Sequence, residues 1–347
     1  MTNSEKEKPL AGSLLHISTS PHIRQKGEVP SIMLSVIIAL TPAFIGSIFF
    51  FGIRSLALTF TCVASAVASE WLLPLIFKKQ ASFRDLSAIV TGMLLALSLP
   101  PTLPLWMAAT GSVFAITVSK MAFGGLGNNF INPALSGRAF LMISYPTAMT
   151  QWIAPLNGSI NGLAQGLDGI SNATPLMYYK NAIASGNFHP LDFQDVLPNI
   201  FWGNTGGCIG ATSAALLILG ALFLWYKRII GFSIPASLIG TVFILSWIFN
   251  GTGYFLTSEA LIVPFYQILT GGIMLGGLFM ANDPVTRPIS VSGRLVFGTC
   301  CGALTFFLRK FGGSPEGICY AILLMNCCTP LIDKTLRPKR YGEVKAK

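Results

Sequence analysis

The run SIMLSVIIALTPAFIGSIFFF, Ser31–Phe51, holds twenty-one residues and no charge. A helix of that length rises about 30 Å, the thickness of the hydrocarbon core of a bilayer. Only helices and closed barrels satisfy their backbone groups in lipid, and this run reads as a spanning helix. Working outward, comparable runs at Leu56–Phe77, Leu86–Leu99, Leu105–Phe123 and Pro133–Tyr145 complete a first group of five, the last one short and carrying Arg138. A second five lie at Gly207–Tyr226, Gly231–Phe249, Leu261–Ala281, Leu295–Leu308 and Gly317–Ile332. Between them, Pro146–Gly206 is too polar and too rich in Gly, Asn and Pro to span. The expected fold is an all-α polytopic membrane protein of ten transmembrane helices. Residues 1–30 form a polar N-terminal segment, 31–145 and 207–332 two five-helix repeats, 146–206 a loop between them, and 333–347 a basic tail.

Composition agrees. Of 347 residues, 52% are hydrophobic and 10% charged, against roughly 25% charged in a water-soluble domain, and the mean hydropathy is +0.64. An ordinary soluble enzyme is excluded. The net charge of +10 does not mark a nucleic-acid partner, because the basic residues fall in small groups between apolar runs instead of along one accessible face. Counted on alternate sides of the ten-helix scheme, 19 of the 23 Lys and Arg, Lys120 and Arg138 among them, lie on the side of the N-terminus. By the positive-inside rule both termini are then cytoplasmic and the 146–206 stretch faces outward. The first 30 residues show no signal-peptide h-region, so the N-terminus is expected to stay where it is made.

An odd number of helices per half makes the halves opposite in direction, and a weak repeat accompanies this. TGMLL at Thr91–Leu95 resembles TGGIML at Thr270–Leu275, and each is followed one helix later by FGG, at Phe123–Gly125 and Phe311–Gly313. Two inverted five-helix bundles with a site at their interface are the expected arrangement, as in inverted-repeat transporters.

Chemistry-bearing residues are few. FGGLGNNFINPALSGR, Phe123–Arg138, reads either as a ligand cradle, with Arg138 and a helix amide end favouring an anionic or electron-rich group, or as a helix-breaking connection. MANDPVTRPISVSGR, Met280–Arg294, sets Asp283 four residues before Arg287, although Pro284 prevents a simple helical pair. Glu70, the acidic residue inside an early apolar run, marks an ion path or snorkels toward Lys78. The seven cysteines form no CxxC pair, and His16, His22 and His189 have no ligand spacing, so no metal site and no catalytic acid or base is expected. Thr174 precedes Pro175, which favours extended backbone with the hydroxyl held toward solvent.

Taken together, SPHIR at Ser20–Arg24, FGGLGNNFINPALSGRAFL at Phe123–Leu141, GGIMLGGLFMANDPVTRP at Gly271–Pro288 and MNCCTPLID at Met325–Asp333 resemble the RnfD/NqrB family. These are the D subunits of the Rnf electron-transport complex and the B subunits of the sodium-translocating NADH:quinone reductase. The compact length is similar to the RnfD branch. The resemblance implies FMN joined by a phosphodiester to Thr174 within DGISNAT, where Asp168, Gly169, Ser171 and Ala173 match the family segment and Asn172 replaces its usual Gly. Thr212, in GCIGATSA, is a rival position. The resemblance further implies a second, noncovalent flavin, riboflavin, near Phe123, Gly124, Gly125, Gly127, Asn128 and Arg138. It also implies partners in the other Rnf subunits and a flavin transferase, a bacterial inner-membrane location amid lipid, and electron transfer between ferredoxin and NAD coupled to Na+ or H+ movement. An NqrB-like subunit and, in another class, a urea- or ammonium-type channel are the competing expectations.

Overall fold

The computed structural model describes residues 28–76, 85–155, 174–185, 194–249, 261–312 and 316–336, and helix is the only extended regular element among them. Helices α1 (Glu28–Phe51) and α2 (Ile53–Ile76) follow from the first two apolar runs. They are joined at Gly52, whose φ of 71° is the left-handed turn that glycine takes without strain. Then come α3 (Ser87–Leu97), α4 (Leu105–Ile116) with a π-helical turn at Thr117–Met121, and α5 (Pro133–Ser144). Short helices α6 (Pro146–Met149), α7 (Pro175–Ala184) and α8 (Leu197–Trp202) lie in the polar stretch. The second group is α9 (Ala214–Tyr226), α10 (Ser233–Phe249), α11 (Ile262–Leu269), α12 (Ile273–Leu275) with a π-helical turn at Gly276–Met280, α13 (Val291–Phe311) and α14 (Ile318–Thr335).

Three helices are long and apolar enough to cross a membrane alone, over Val29–Phe51, Ile53–Leu73 and Val291–Phe311, and Ile262–Leu269 with Ile273–Met280 qualifies as a pair bent by 66°. The chain therefore differs from ten uninterrupted spans. The expected run Leu261–Ala281 breaks at Thr270–Gly272, where Gly271 and Gly272 have φ of 56° and 52°. The run expected from Gly207 becomes helical only at Ala214, and that expected at Leu86–Leu99 is an eleven-residue helix. At 1.5 Å per residue α3 covers about half the hydrocarbon core. It lies inside the bundle, with ten of its eleven residues buried, and the amides of Ile209 and Gly210 satisfy the carbonyls of Leu99 and Leu97 at 3.0 and 2.8 Å. A short helix survives there because protein, not lipid, completes its end.

The packing scheme recurs. α2 packs on α3 and α4, and α4 on α5; α10 packs on α11 and α13, and α13 on α14. The two sets meet where α1 lies against α9 and α5 against α14. α1 and α9 run antiparallel, since Gly46 faces Leu216, Ala39 faces Gly220 and Lys227 donates to Ser35. Small residues let the helices approach: a Cβ on Gly92 would lie 2.8 Å from Val63 Cα and 2.9 Å from the Cys62 carbonyl. Ser112 also donates to that carbonyl at 2.6 Å, tying α4 to α2. Gly92→Val is expected to destabilise the fold by about 1–3 kcal/mol, because the clash is with backbone that cannot turn aside; thermal unfolding in nanodiscs measures it, and an unchanged midpoint would show that α2 and α3 are not this close.

Candidate functional site

Two cavities lie at opposite ends of the bundle. At the end away from the start of α1, Thr174 is the N-cap of α7. Its backbone is extended (φ −60°, ψ 152°), as a following proline demands. The side chain does not face solvent. Thr174 is 7% exposed, and its Oγ1 accepts from the Met177 amide at 3.2 Å. The expectation of an exposed hydroxyl is thus corrected, because the extended backbone turns the oxygen back onto the amides that open α7. The helix is fastened to its surroundings by Tyr266 Oη donating to the Pro175 carbonyl and Lys180 Nζ donating to that of Gly312.

Thr174, Gly206, Gly207, Thr212, Gly271 and Glu316 share the wall of a cavity of about 380 Å³. The two rival threonines therefore face one space. They differ in bonding: Thr212 Oγ1 donates to the Cys208 carbonyl at 2.7 Å, whereas Thr174 Oγ1 is the acceptor at a helix start. Asp168, Gly169, Ser171, Asn172 and Ala173 lie outside the described residues.

Beneath this cavity is a charge cluster that sequence reading missed. Arg138, 5% exposed, forms an ion pair with Glu316 and donates to the Ser98 carbonyl. Arg309, also buried, donates to the carbonyls of Gln267 (2.6 Å), Thr270 (2.9 Å) and Gly271 (3.1 Å) and to Gln267 Oε1 (3.0 Å). Arg138 and Arg309 are thus not loop charges. Arg138 also does not reach the glycine-rich loop at the other end of α5, since its guanidinium lies beside Ser98, which closes the far end of α3.

At the end holding the start of α1, a cavity of about 800 Å³ is walled by α1, α3, the 126–134 segment, the end of α9 and Phe279–Val285. Phe123, Gly124, Gly127 and Asn128 do not reach it, and with Gly125 they stand outside the lining. Gly124, Gly125 and Gly127 take φ of 109°, 92° and 93°, so these glycines bend the loop, and the bend brings Leu126, Asn129 and Asn132 to the cavity. Asn129 Oδ1 and Asn282 Oδ1 are buried without a hydrogen-bond partner among the described residues. Asp283 accepts from the Val285 amide at 3.3 Å and from Thr286 Oγ1 at 3.4 Å. Burial pushes its carboxyl above the usual carboxylate range, and it forms no ion pair with Arg287 among the described residues.

Asn132 joins the two glycine-rich motifs. Its Oδ1 caps α5 through the amides of Ala134 (3.0 Å) and Leu135 (3.3 Å), and its Nδ2 donates to the Met280 carbonyl at 3.1 Å. Asn132→Asp keeps the cap and removes the donor, leaving a carboxylate against a carbonyl. A loss of about 1–3 kcal/mol is expected, read as a lowered unfolding midpoint; a wild-type midpoint would remove Asn132 as a link between the halves. Beside the same cavity, Glu70 pairs with Lys120. Lys78, toward which Glu70 would snorkel, lies outside the described residues, and Lys120, a topology charge by sequence, is 2% exposed. Without Lys120, Arg138 and Arg309 the charge asymmetry between the two faces remains.

Spanning helices, a helix broken in mid-course and ion pairs buried at both ends define a multi-pass membrane protein. The chain belongs to the NQR2, RnfD, RnfE family, whose sequence pattern matches residues 16–342. It is 42% identical over 337 residues to the D subunit of the proton-translocating ferredoxin:NAD(+) oxidoreductase complex of Clostridium ljungdahlii, covering 97% of this chain and 98% of that one. To the D subunit of the Na(+)-translocating ferredoxin:NAD(+) oxidoreductase complex of Acetobacterium woodii it is 40% identical over 334 residues, covering 96% and 97%. To the D subunit of the ion-translocating oxidoreductase complex of Escherichia coli it is 34% identical over 360 residues, covering 96% and 99%.

Proposed function

We propose that this chain is the D-type membrane subunit of an ion-translocating ferredoxin:NAD+ oxidoreductase complex, that it carries FMN on Thr174, and that it relays electrons between neighbouring redox subunits. Near-full-length similarity to relatives with that name supports the subunit assignment over an NqrB-like one. The observation that carries the flavin is the setting of Thr174. A phosphoryl group on Oγ1 would lie at the amide end of a ten-residue helix, where fixed N–H groups and the helix dipole favour an anion by about 0.3–1 kcal/mol. Glycines at 206, 207, 271 and 272 keep the adjoining wall free of side chains. The hydroxyl's burial implies that a flavin transferase acts before α7 closes onto α11. Bound there, FMN supplies the electron chemistry, and the chain supplies attachment, orientation and charge.

The larger cavity suits a noncovalent flavin such as riboflavin. Its wall is mostly apolar, and the unpartnered oxygens of Asn129 and Asn282 are acceptors for ring N–H or ribityl hydroxyl donors. The Lys and Arg bias favours this end at the cytoplasmic face of a bacterial inner membrane, with both termini there and the Thr174 cavity facing outward. A channel of the urea or ammonium type would share the five-plus-five helix arrangement expected from the sequence but has no use for a flavin. Ultraviolet-excited fluorescence of the chain on a denaturing gel, after production with its transferase, tests the covalent assignment. A fluorescent band is expected, and a dark band would favour the channel. Free riboflavin in the supernatant of the denatured complex tests the second site.

A further inference from the structure

We propose that the oxygen set formed by Glu70 and Ser87 at the start of α3 is a monovalent-cation site whose cation the chain itself supplies, as the ammonium of Lys120. This does not rest on the flavin assignment. Lys120 Nζ donates to Ser87 Oγ at 2.6 Å and to Glu70. Glu70 also accepts from the Ala88 amide and feels the like charge of Asp85. Asp85 in turn accepts from the amide of Ser87 at 3.2 Å and from its hydroxyl at 2.8 Å. Two carboxylates therefore crowd one buried helix start, and the single ammonium, paired with Glu70, offsets one of the two charges.

The surroundings are built for an occupant. Lys120 and Ser87 both line the larger cavity, so the Ser87 end of the oxygen set has an approach from outside the packed core. Asn129, 4% exposed, lines the same cavity with its Oδ1 unpartnered, an additional hard oxygen of the type that alkali ions accept. Lys120 sits in the π-helical turn that ends α4, and such turns redirect one side chain out of helical register. Leu86, between Asp85 and Ser87, holds a left-handed φ of 59°, which costs a branched side chain about 1–2 kcal/mol.

The other half of the molecule repeats the device. Arg309, just ahead of the second FGG as Lys120 is ahead of the first, fills a cage of three backbone carbonyls and Gln267 Oε1 at the break after α11. Carbonyls freed at a helix break are the groups that hold Na+ in broken-helix transporters. In both halves a tethered cation stands where a free one would otherwise be attracted.

The test compares unfolding midpoints of the full-length chain in sodium, potassium and choline chloride at one ionic strength. The wild type should melt at one temperature in all three. Lys120→Met should melt about 3 °C or more higher in sodium or potassium than in choline, since an ion that binds only the folded state raises the midpoint. Glu70→Gln/Lys120→Met should lose that dependence. Recovery of folded Lys120→Met only when an alkali ion is present also supports the site. The proposal is overturned if folded Lys120→Met melts alike in all three salts, or if the wild type responds to sodium or potassium. Failure of Lys120→Met in every salt overturns it as well, whether or not the double variant folds, because the site assigns Lys120 no role beyond balancing Glu70.

Discussion

Thr174→Ala yields a chain that carries no covalent flavin, whereas Thr212→Ala keeps the full signal. The effect is all-or-none because a phosphodiester needs the hydroxyl oxygen. Thr174→Ala also removes the N-cap of α7, which costs about 1 kcal/mol, so a second substitution separates attachment from folding. Thr174→Asn retains a capping oxygen for the Met177 amide, now at 3.2 Å from Oγ1, but offers nothing to esterify. It should fold with the wild-type midpoint and remain dark on a denaturing gel. A fluorescent Thr174→Asn would move the bond to another residue, and Thr212, on the same cavity, would be the first to examine.

Breaking the Arg138–Glu316 pair has the largest effect expected on stability. Removing one member of a buried ion pair costs about 3–5 kcal/mol, because the remaining charge stays out of water. The two substitutions are not equivalent. Arg309 lies within Coulombic reach of Glu316, so Arg138→Met leaves the carboxylate with one guanidinium nearby and falls at the low end of the range. Glu316→Gln leaves two guanidinia without a carboxylate and falls at the high end. Arg138→Met/Glu316→Leu removes both charges and should recover most of the loss. Arg138 belongs to α5 and Glu316 to the turn before α14, 178 residues later, so the pair binds one half of the molecule to the other. Denaturant titration in nanodiscs, read as a double-mutant cycle, measures the coupling; additive losses would show that the two charges do not meet.

Local sequence disclosed what local physics decides. Apolar runs fix α1 and α2, and the glycines of Phe123–Gly127 mark a turn. The break at Thr270–Gly272 stayed hidden inside a continuous apolar run, because paired glycines there serve close packing equally well. Most of what stayed hidden is tertiary. Glu70 stands out inside an apolar run, but Lys120, 50 residues away, looks like a boundary charge until α2 and the turn after α4 are brought together. Glu316 stands in an unremarkable polar connection, and no periodicity points to Arg138 across half the chain. Thr174 was legible as extended backbone before proline, but its burial depends on α11 and the 205–212 segment closing over it. The glycine-rich loop was legible as a helix-breaking connection, but the residues that reach the adjoining cavity are Leu126, Asn129 and Asn132, not the glycines that shape it.

The most direct test is a peptide map of the wild-type chain taken from its assembled complex, with fragmentation that assigns each modified side chain. The account predicts the peptide containing Thr174 heavier by FMN less one water, with that added mass on the threonine oxygen and the Thr212 peptide unmodified. A Thr174 peptide at its plain mass, from a complex that is otherwise intact and active, would contradict it.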